Sequence, residues 1–465
     1  MWWVLLWWVL SVNCPQDPYT IEWNVLGEMT ESMSDTTAHE HHDAEPDRRS
    51  VPKRRLAYRL RRVALAVSVF AASYLGLQAY RTFKGPYASI PAACKVSPPP
   101  GTLSAITPEQ AAQAANSSFA ALEECFGTAN GSFRGLYLGP ATAWPESQAM
   151  AALLGLSRLP NTPPSLRASI AKHMANLGDY WDSSHGGYYP GGRWFIFGGG
   201  VKKYDDNAWM GIDLLDAYSL THDSSYLAQA EKVATFEATG WSTNRHYPSP
   251  GGVFWQEPSS GKDRNAVSTG GAALLNAELF RITGKPVYRK NAEQYVAWTV
   301  NTLTLKNGLI ADHISVDGTV NPTIWSYNQG LVIATYASLF ASTGNHAYLD
   351  AAHALADRTI SYLNTGNRMA EEPPVFVSIF MRSLADLNAI SPQPAYLNAM
   401  QSWATLMYNH MVKGTGVVHE GPAVTAATGW LITQASAVQA FSTYATAAST
   451  PSQKQSPTIY QGWAL

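Results

Sequence analysis

Helical patterns separated by Gly, Pro and Asn clusters recur from just after the Pro-rich segment Ser97–Gly101 almost to the end of the chain, and their near-regular spacing constrains the fold more than any other feature. Twelve helices are expected, over residues 108–126, 144–160, 164–182, 204–220, 223–238, 263–283, 286–304, 325–343, 346–364, 374–388, 392–411 and 428–446. The even-numbered ones start near 144, 204, 263, 325, 374 and 428, at steps of 60, 59, 62, 49 and 54 residues, which signals a repeated two-helix unit. The units also share local sequence. AYSLTHDSSYLAQA, ELFRITGKPVYRKNA, SLFASTGNHAYLDAA and SLADLNAISPQPAYLNAM each cross a short polar turn, and a tyrosine opens the second helix of each as a packing staple: Tyr226, Tyr288, Tyr348 and Tyr396. Such hairpins either stay open as a solenoid or close on themselves. The even-numbered helices are richer in Gly, Ala and Trp and less charged, which suits a buried inner ring. The expected fold is therefore all-α, an (α/α)6 toroid of six hairpins over residues 105–448.

Charge distribution sets the expectations outside this domain. The net charge of −2 gives no long-range field that would draw the chain to nucleic acid. Eight basic residues lie between Arg48 and Arg62, directly before Val63–Tyr80, a stretch without a formal charge. That order predicts a cytoplasmic region 1–62, a transmembrane or signal-anchor helix 63–80, a linker 81–104, an extracytoplasmic domain, and a C-terminal tail 449–465. The protein is expected to be single-pass in the cell membrane, or secreted after cleavage of the segment. The apolar run MWWVLLWWVL lacks a basic flank, so residues 1–32 read as upstream sequence from a wrong start or as an extension. Exported cysteines can oxidise, so a Cys94–Cys125 bridge is expected. HEHH at His39–His42 reads as a polar tail, and His246, His313 and His419 have no metal-ligand spacing. No metal and no cofactor are expected, and the chain is expected to be a monomer.

In a closed toroid the links into the inner helices gather at one mouth, and here those links are long and rich in Gly and aromatics, as functional loops are. Trp144, Tyr188, Tyr189, Trp194, Phe195, Phe254, Trp255, Trp325 and Tyr327 are expected to line that mouth. With 16 Trp and 23 Tyr in the chain, flat faces that stack on sugar rings are well supplied. At the same mouth YDDNAW, Tyr204–Trp209, opens a helix with adjacent Asp205 and Asp206. Such aspartates can cap a helix. Two carboxyls also meet the need of glycoside cleavage, one to attack the anomeric carbon and one to protonate the leaving oxygen, if a non-helical backbone at Asp205 lets them diverge to roughly 5 Å.

YDDNAW, GGVFW (Gly251–Trp255), RNAVSTGGAALLNAEL (Arg264–Leu279), WSYNQG (Trp325–Gly330) and VFVSIFMRSL (Val375–Leu384) resemble glycoside hydrolase family 76 in order and spacing, and Trp144 with PESQAM is similar to its opening motif. The likeness covers roughly residues 105–445. It implies an (α/α)6 barrel and endo-acting, retaining hydrolysis of α-1,6-linked mannan, with Asp205 as nucleophile and Asp206 as acid/base. The polymer acted on would be α-mannan or a mannan-bearing lipoglycan, and a bilayer anchor with its basic flank inside suits a bacterial envelope. Substrate contacts are expected from Trp144, Tyr204, Trp209, Trp255, Asn265, Trp325, Tyr327, Asn328, Gln329 and Phe380. Met210 stands where family members often carry a second bulky aromatic, which puts the shape of one subsite in doubt. Arg382 either lines the pore or pairs with Asp386 one turn on.

Three other functions remain open at this point. A transglycosylase on envelope mannan would use the same intermediate with a sugar acceptor. A sugar epimerase or isomerase can occupy the same fold, although such chemistry commonly uses paired histidines and the inner helices contain none. A non-catalytic glycan-binding protein would not need the intact aspartate pair.

Overall fold

The structure is a computed structural model that describes residues 101–135, 140–160, 162–191, 199–257, 261–410 and 430–449, all within the second of the chain's two units, Ala71–Leu465. Along the chain come α1 (Pro108–Phe126), α2 (Ala143–Leu156), α3 (Pro164–Leu177), α4 (Tyr204–Thr221), α5 (Ser224–Thr239), β1 (Asp263–Asn265), α6 (Ala266–Thr283) and α7 (Pro286–Leu303). After them follow β2 (His313–Ser315), β3 (Val320–Asn321), α8 (Ser326–Thr343), α9 (His346–Leu363), the one-turn α10 (Arg368–Glu371), α11 (Pro374–Ile390), α12 (Pro394–Asn409) and α13 (Trp430–Ser449). Every one of the twelve long helices lies where the repeat requires it.

Helices α2, α4, α6, α8, α11 and α13 each pack on the next, and α13 packs back on α2, closing an inner ring. Outside it stand α3, α5, α7, α9 and α12, each against the inner helix that precedes it, while α1 packs on α13. Inner helices are the most buried: α6 buries every residue from Ala266 to Ala277 and α8 every residue from Ser326 to Thr335. Glycine makes this density possible where backbones meet. A Cβ on Gly271 would stand 2.7 Å from Ala208 Cβ, and one on Gly330 3.1 Å from Phe380 Cα, so α6 approaches α4, and α8 approaches α11, at positions that exclude a side chain. Buried amides complete the closure. Gln434 Nε2 on α13 donates to Ser118 O on α1 at 2.7 Å, and Gln439 Nε2 donates to Gln148 O on α2 at 2.8 Å.

The repeat tyrosines do more than staple their own hairpins. Tyr288 on α7 donates to Glu231 Oε1 on α5 at 3.0 Å, Tyr348 on α9 donates to Glu293 Oε1 on α7 at 2.7 Å, and the Tyr396 hydroxyl on α12 lies 2.6 Å from His353 Nδ1 on α9. Successive outer helices are thus laced by the same residue in successive units.

Several expectations need correction. Helix α2 ends at Leu156, where the Ser157 hydroxyl turns back onto Leu153 O, and α3 ends at Leu177, before Gly178. Residues 263–265 are strand rather than helix, because they pair antiparallel with β2, Arg264 opposite Ile314, and β2 pairs with β3. The fold is therefore not purely helical: a small three-stranded sheet, β1-β2-β3, lies in the links before α6 and α8. The expected membrane segment 63–80 and the regions 1–62 and 449–465, apart from Ser449, lie outside the described residues; among those described, no helix is long and apolar enough to cross a membrane. Cys125 is disulfide-bonded, and its partner also lies outside the described residues.

One buried carboxyl makes stability depend on pH. Glu146 on α2 is fully buried; its Oε2 accepts the Phe133 amide at 3.2 Å, and its Oε1 has no hydrogen-bond partner among the described residues. Burial pushes its pKa from 4.5 up to about 8, with the nearby Glu123 charge adding to the rise. Between those values the folded chain holds a proton that the unfolded chain has lost, so this group's contribution is full below pH 4.5 and is lost as pH rises towards about 8. Glu146→Gln, which keeps an acceptor for Phe133, should lose less melting temperature than the wild type between pH 5 and pH 8. Equal losses in thermal melts at the two pH values would exonerate Glu146.

Candidate active site

Residues from the N-terminal halves of the inner helices come together within the ring. There Trp209, Val267, Leu274, Tyr327, Leu331, Ala334, Val375 and Ile379 form an apolar cluster of their own, flanked by partly exposed Trp144, Trp325, Phe376 and Ile432. All six inner helices contribute to it. Trp144 tilts against Trp209 with ring centroids 5.8 Å apart, Tyr327 stacks on Phe376 at 4.1 Å, and Trp325 meets the same Phe376 edge-on at 5.3 Å. Of the aromatics expected at the mouth, Trp144, Trp325 and Tyr327 are in this cluster, Trp144 and Trp325 keeping partly exposed faces.

Asp205 and Asp206 lie in the first turn of α4, whose N-cap is Lys203. Both are helical, so the extended residue before the helix is Lys203 (φ −105°, ψ 135°) and not Asp205, and no side chain caps the helix. A strip of extended chain places their neighbours. The Tyr204 amide donates to Trp255 O at 2.9 Å, the Trp255 amide donates to Asp263 O at 3.3 Å, and Lys203 pairs antiparallel with Gln256. With both backbone edges held, Trp255 directs its indole Nε1 to Asp205 Oδ2 at 3.1 Å.

The two carboxyls are partly exposed yet densely surrounded, and their surroundings are unequal. Burial raises the Asp205 pKa to about 6, against the pull of the Trp255 indole, the backbone amides at the start of α4 and the Lys203 charge. Asp206 is pushed well above the usual aspartate range, by burial first and then by the Asp205 charge, with only Lys203 opposing. No described residue donates a hydrogen bond to its carboxyl. A third carboxyl, Glu237 on α5, is fully buried with neither oxygen hydrogen-bonded to a described residue; burial, and then the Asp205 charge, hold it well above its ordinary value.

A polar arc continues from this pair along the sheet. Ser315 Oγ donates to Asp263 Oδ1 at 3.0 Å, His313 Nε2 lies 4.0 Å from the same oxygen, and His313 Nδ1 lies 2.8 Å from Asp312 Oδ2. Asp312 Oδ1 in turn receives Asn328 Nδ2 at 3.4 Å. The hydrogen bond to Asp312 raises the His313 pKa. Asn265 Oδ1 and Asn328 Oδ1 are buried and accept no hydrogen bond from the described residues.

Of the residues expected to meet substrate, Trp144, Trp209, Trp325 and Tyr327 come together at the axis, and Trp255 and Asn265 lie on the strip beside Asp205. Tyr204 does not reach the cleft: its ring stacks on Phe236 at 5.0 Å, its hydroxyl pairs with Thr239 at 3.1 Å, and it is 1% exposed. Phe380 packs fully buried against Gly330. Gln329 spends its amide on the link, accepting the Ile310 amide at 2.8 Å and donating to Ile310 O and Trp325 O. Tyr188 and Phe254 are core residues, Tyr189 is partly exposed, and Trp194 and Phe195 lie outside the described residues. Arg382 lies near the buried Asp213 of α4, whose pKa burial holds well above the usual aspartate range against the opposing pull of the Arg382 charge.

Sequence reasoning missed Lys203, Glu237, Asp312, Arg264 and Glu372. Arg264 is fully buried and donates to Ser249 O, Gly251 O, Pro248 O and Ser315 O at 2.6 to 3.2 Å, tying the link before α6 to β2. The Glu372 carboxylate accepts the Ser326 amide at 2.5 Å, capping α8 from a distant segment. The signal for Lys203 was its adjacency to the aspartates; the others have no local signature.

The family model described as glycosyl hydrolase family 76 matches residues 109–455. Among curated proteins, a "Mannan endo-1,6-alpha-mannosidase DCW1" from Candida glabrata is 30% identical over 213 residues, 39% of this chain and 47% of that protein. The chain thus spans less than half the length of that relative, and 34% of the Saccharomyces cerevisiae protein of the same name. These relatives are fungal, so they lend no support to a bacterial, membrane-anchored placement. Among solved structures, the α-mannanase BT2949 of Bacteroides thetaiotaomicron superimposes with TM-score 0.63 at 20% identity, over 72% of this chain and 95% of that one. An inactive variant of the α-1,6-mannanase GH76A of a Salegentibacter species, with two adjacent aspartates replaced by asparagine and in complex with α-1,6-mannotriose, gives 0.61 at 21%, over 72% and 99%. The (α/α)6 fold is common to all of these structures.

The distant cap on α8 is open to test. Glu372→Ala leaves the first amide of the helix that carries Tyr327 unpaired and should cost about 1–2 kcal/mol in denaturant unfolding, whereas Glu372→Gln should keep most of the stability. Equal midpoints for wild type and Glu372→Ala would remove the cap.

Proposed function

The chain belongs to glycosyl hydrolase family 76, and from that premise we propose that it is an endo-acting, retaining hydrolase of α-1,6-mannosidic linkages in mannan or a mannan-bearing lipoglycan. What carries the reading is the unequal pair at the mouth of the ring. Asp205 has an indole N–H on one oxygen, while its other oxygen, Oδ1, is without a hydrogen-bond partner among the described residues. That is a carboxylate held in place with a lone pair to spare, as a nucleophile needs. Asp206, next to a negative charge and without a donor, keeps its proton to a higher pH, as a general acid needs.

In the first step Asp206 gives its proton to the glycosidic oxygen as Asp205 bonds to the anomeric carbon, and the sugar on the leaving side departs as an alcohol. In the second, Asp206 takes a proton from water, the hydroxide displaces Asp205, and the configuration is restored. Trp144 and Trp325 offer ring faces for adjacent sugars, and the Asn265, Asn328 and Asp312 side chains offer hydrogen-bonding partners for their hydroxyls. The adjacent aspartates replaced in the inactive Salegentibacter enzyme support the assignment of the pair. An endo-acting enzyme needs an open cleft, and the long links expected at the mouth suit one. The basic stretch Arg48–Arg62 and the uncharged Val63–Tyr80 support a tether that places the domain outside the membrane, within reach of envelope glycans.

Two outcomes are expected. Activity should be bell-shaped in pH: the acid limb, near 6, marks ionisation of Asp205, and the alkaline limb, at higher pH, marks loss of the Asp206 proton. Replacement should separate the roles. Both Asp205→Asn and Asp206→Asn nearly abolish hydrolysis of α-1,6-mannan. With an aryl α-mannoside, which needs little protonation to leave, Asp206→Asn still forms the glycosyl-enzyme, and azide releases it as a mannosyl azide of retained configuration. An azide product from Asp205→Asn alone would reverse the roles, and full activity in both variants would end the reading.

A further inference from the structure

Lys203 stands directly before the pair and has no part in the mechanism above. Its ammonium lies 3.7 Å from the centroid of the Trp255 ring and pairs with the side-chain oxygen of Gln256. Trp255 is the residue whose indole N–H reaches Asp205 Oδ2. Backbone pairing fixes all three in register, through the Lys203–Gln256 bridge and the bond from the Tyr204 amide to Trp255 O. The preceding lysine behaves differently. Lys202 is buried, bonds to Asp182 Oδ2 at 2.8 Å, and lies 3.6 Å from Glu257, so its charge is spent on holding loops.

A cation on the face of an indole is held by the negative face of the ring. It also draws electron density from the ring, which makes the N–H a stronger donor. A stronger donor on a carboxylate favours the ionised form. The titratable groups facing Asp205 are Asp206 on the same helix, Glu237 on α5 and Lys203 at the cap. Of these, the Lys203 charge favours its ionisation.

We propose that Lys203 and Trp255 form one positioning unit for Asp205, the ammonium seated on the indole and the indole N–H on the carboxylate, which fixes Asp205 rather than Asp206 as the ionised member of the pair. Lys203 touches no reacting atom and is a positioning residue. Its catalytic consequence rests on the reading of Asp205 as nucleophile.

The test follows the indole itself. In full-length protein labelled with 15N-tryptophan, the Trp255 N–H resonance is identified by its loss in Trp255→Phe and followed against pH. It should titrate in the wild type and not in Asp205→Asn. In Lys203→Met, which keeps the aliphatic stem and removes the charge, the midpoint should rise by about one pH unit or more. The acid limb of kcat/KM on an α-1,6-mannan oligosaccharide should rise with it. Lys203→Arg should restore both. Lys203→Gln, which keeps a partner for Gln256, gives the same reading if the Met variant loses its helical circular dichroism. A wild-type midpoint and acid limb in the charge-free variants would overturn the positioning unit while leaving the hydrolase reading intact. A moved indole midpoint in a protein that does not cleave α-1,6-mannan would uphold the unit and sink the substrate.

Discussion

A helix that is buried on every side can offer chemistry only at its ends. The inner helices come close to that position: α6 and α8 have long stretches without an exposed residue, and polar residues such as Asn207, Asn276 and Gln329 are fully buried. The useful surface of the ring is therefore the set of first turns at its mouth. Asp205 and Asp206 stand in the first turn of α4 and Tyr327 in that of α8; Trp325 is the residue directly before α8, and Asn265 the residue directly before α6. The amides at a helix start also favour negative charge. The same constraint that denies the inner faces to solvent thus gathers the aromatics and places a carboxylate where the backbone helps to ionise it.

Crowding two carboxyls into one turn is costly, and the surroundings distribute that cost unevenly. Asp205 receives the indole donor and the backbone amides; Asp206 has burial and a neighbour's negative charge against it. The buried Glu237 nearby has its pKa held well above the ordinary value by burial and then by the Asp205 charge. An acid and a base made from one residue type differ here only through what touches them.

The architecture was legible in the sequence because a two-helix repeat leaves its mark in every unit: spacing, composition of the inner helices, and a tyrosine after each polar turn. The sheet was not, since strands of two and three residues carry no usable alternation and residues 263–265 continue smoothly into the pattern of α6. The carboxylate pair and most of the axial aromatics were legible from their place at helix starts. Tyr204, Phe380 and Gln329 were misplaced for a single reason: adjacency in a motif does not say which way a helical side chain points, and about 100° of rotation per residue carries a neighbour from cleft to core. Lys203, Asp312 and Glu372 act across gaps between links, and nothing local records which links will touch.

Ring closure has a bearing on how such a protein comes into being. The bond from Gln434 to Ser118 joins residues 316 positions apart, and that from Ile106 to Thr405 spans 299. A ribosome delivers α1 first and α13 last, so for most of its synthesis the domain is an open arc whose two apolar ends have no match. The cleft exists only when the final helix arrives. Until then two arcs from neighbouring ribosomes are each other's best available partners, and exchange of terminal helices between chains is the natural misassembly. Clipping α13 from a finished molecule would return it to that adhesive state.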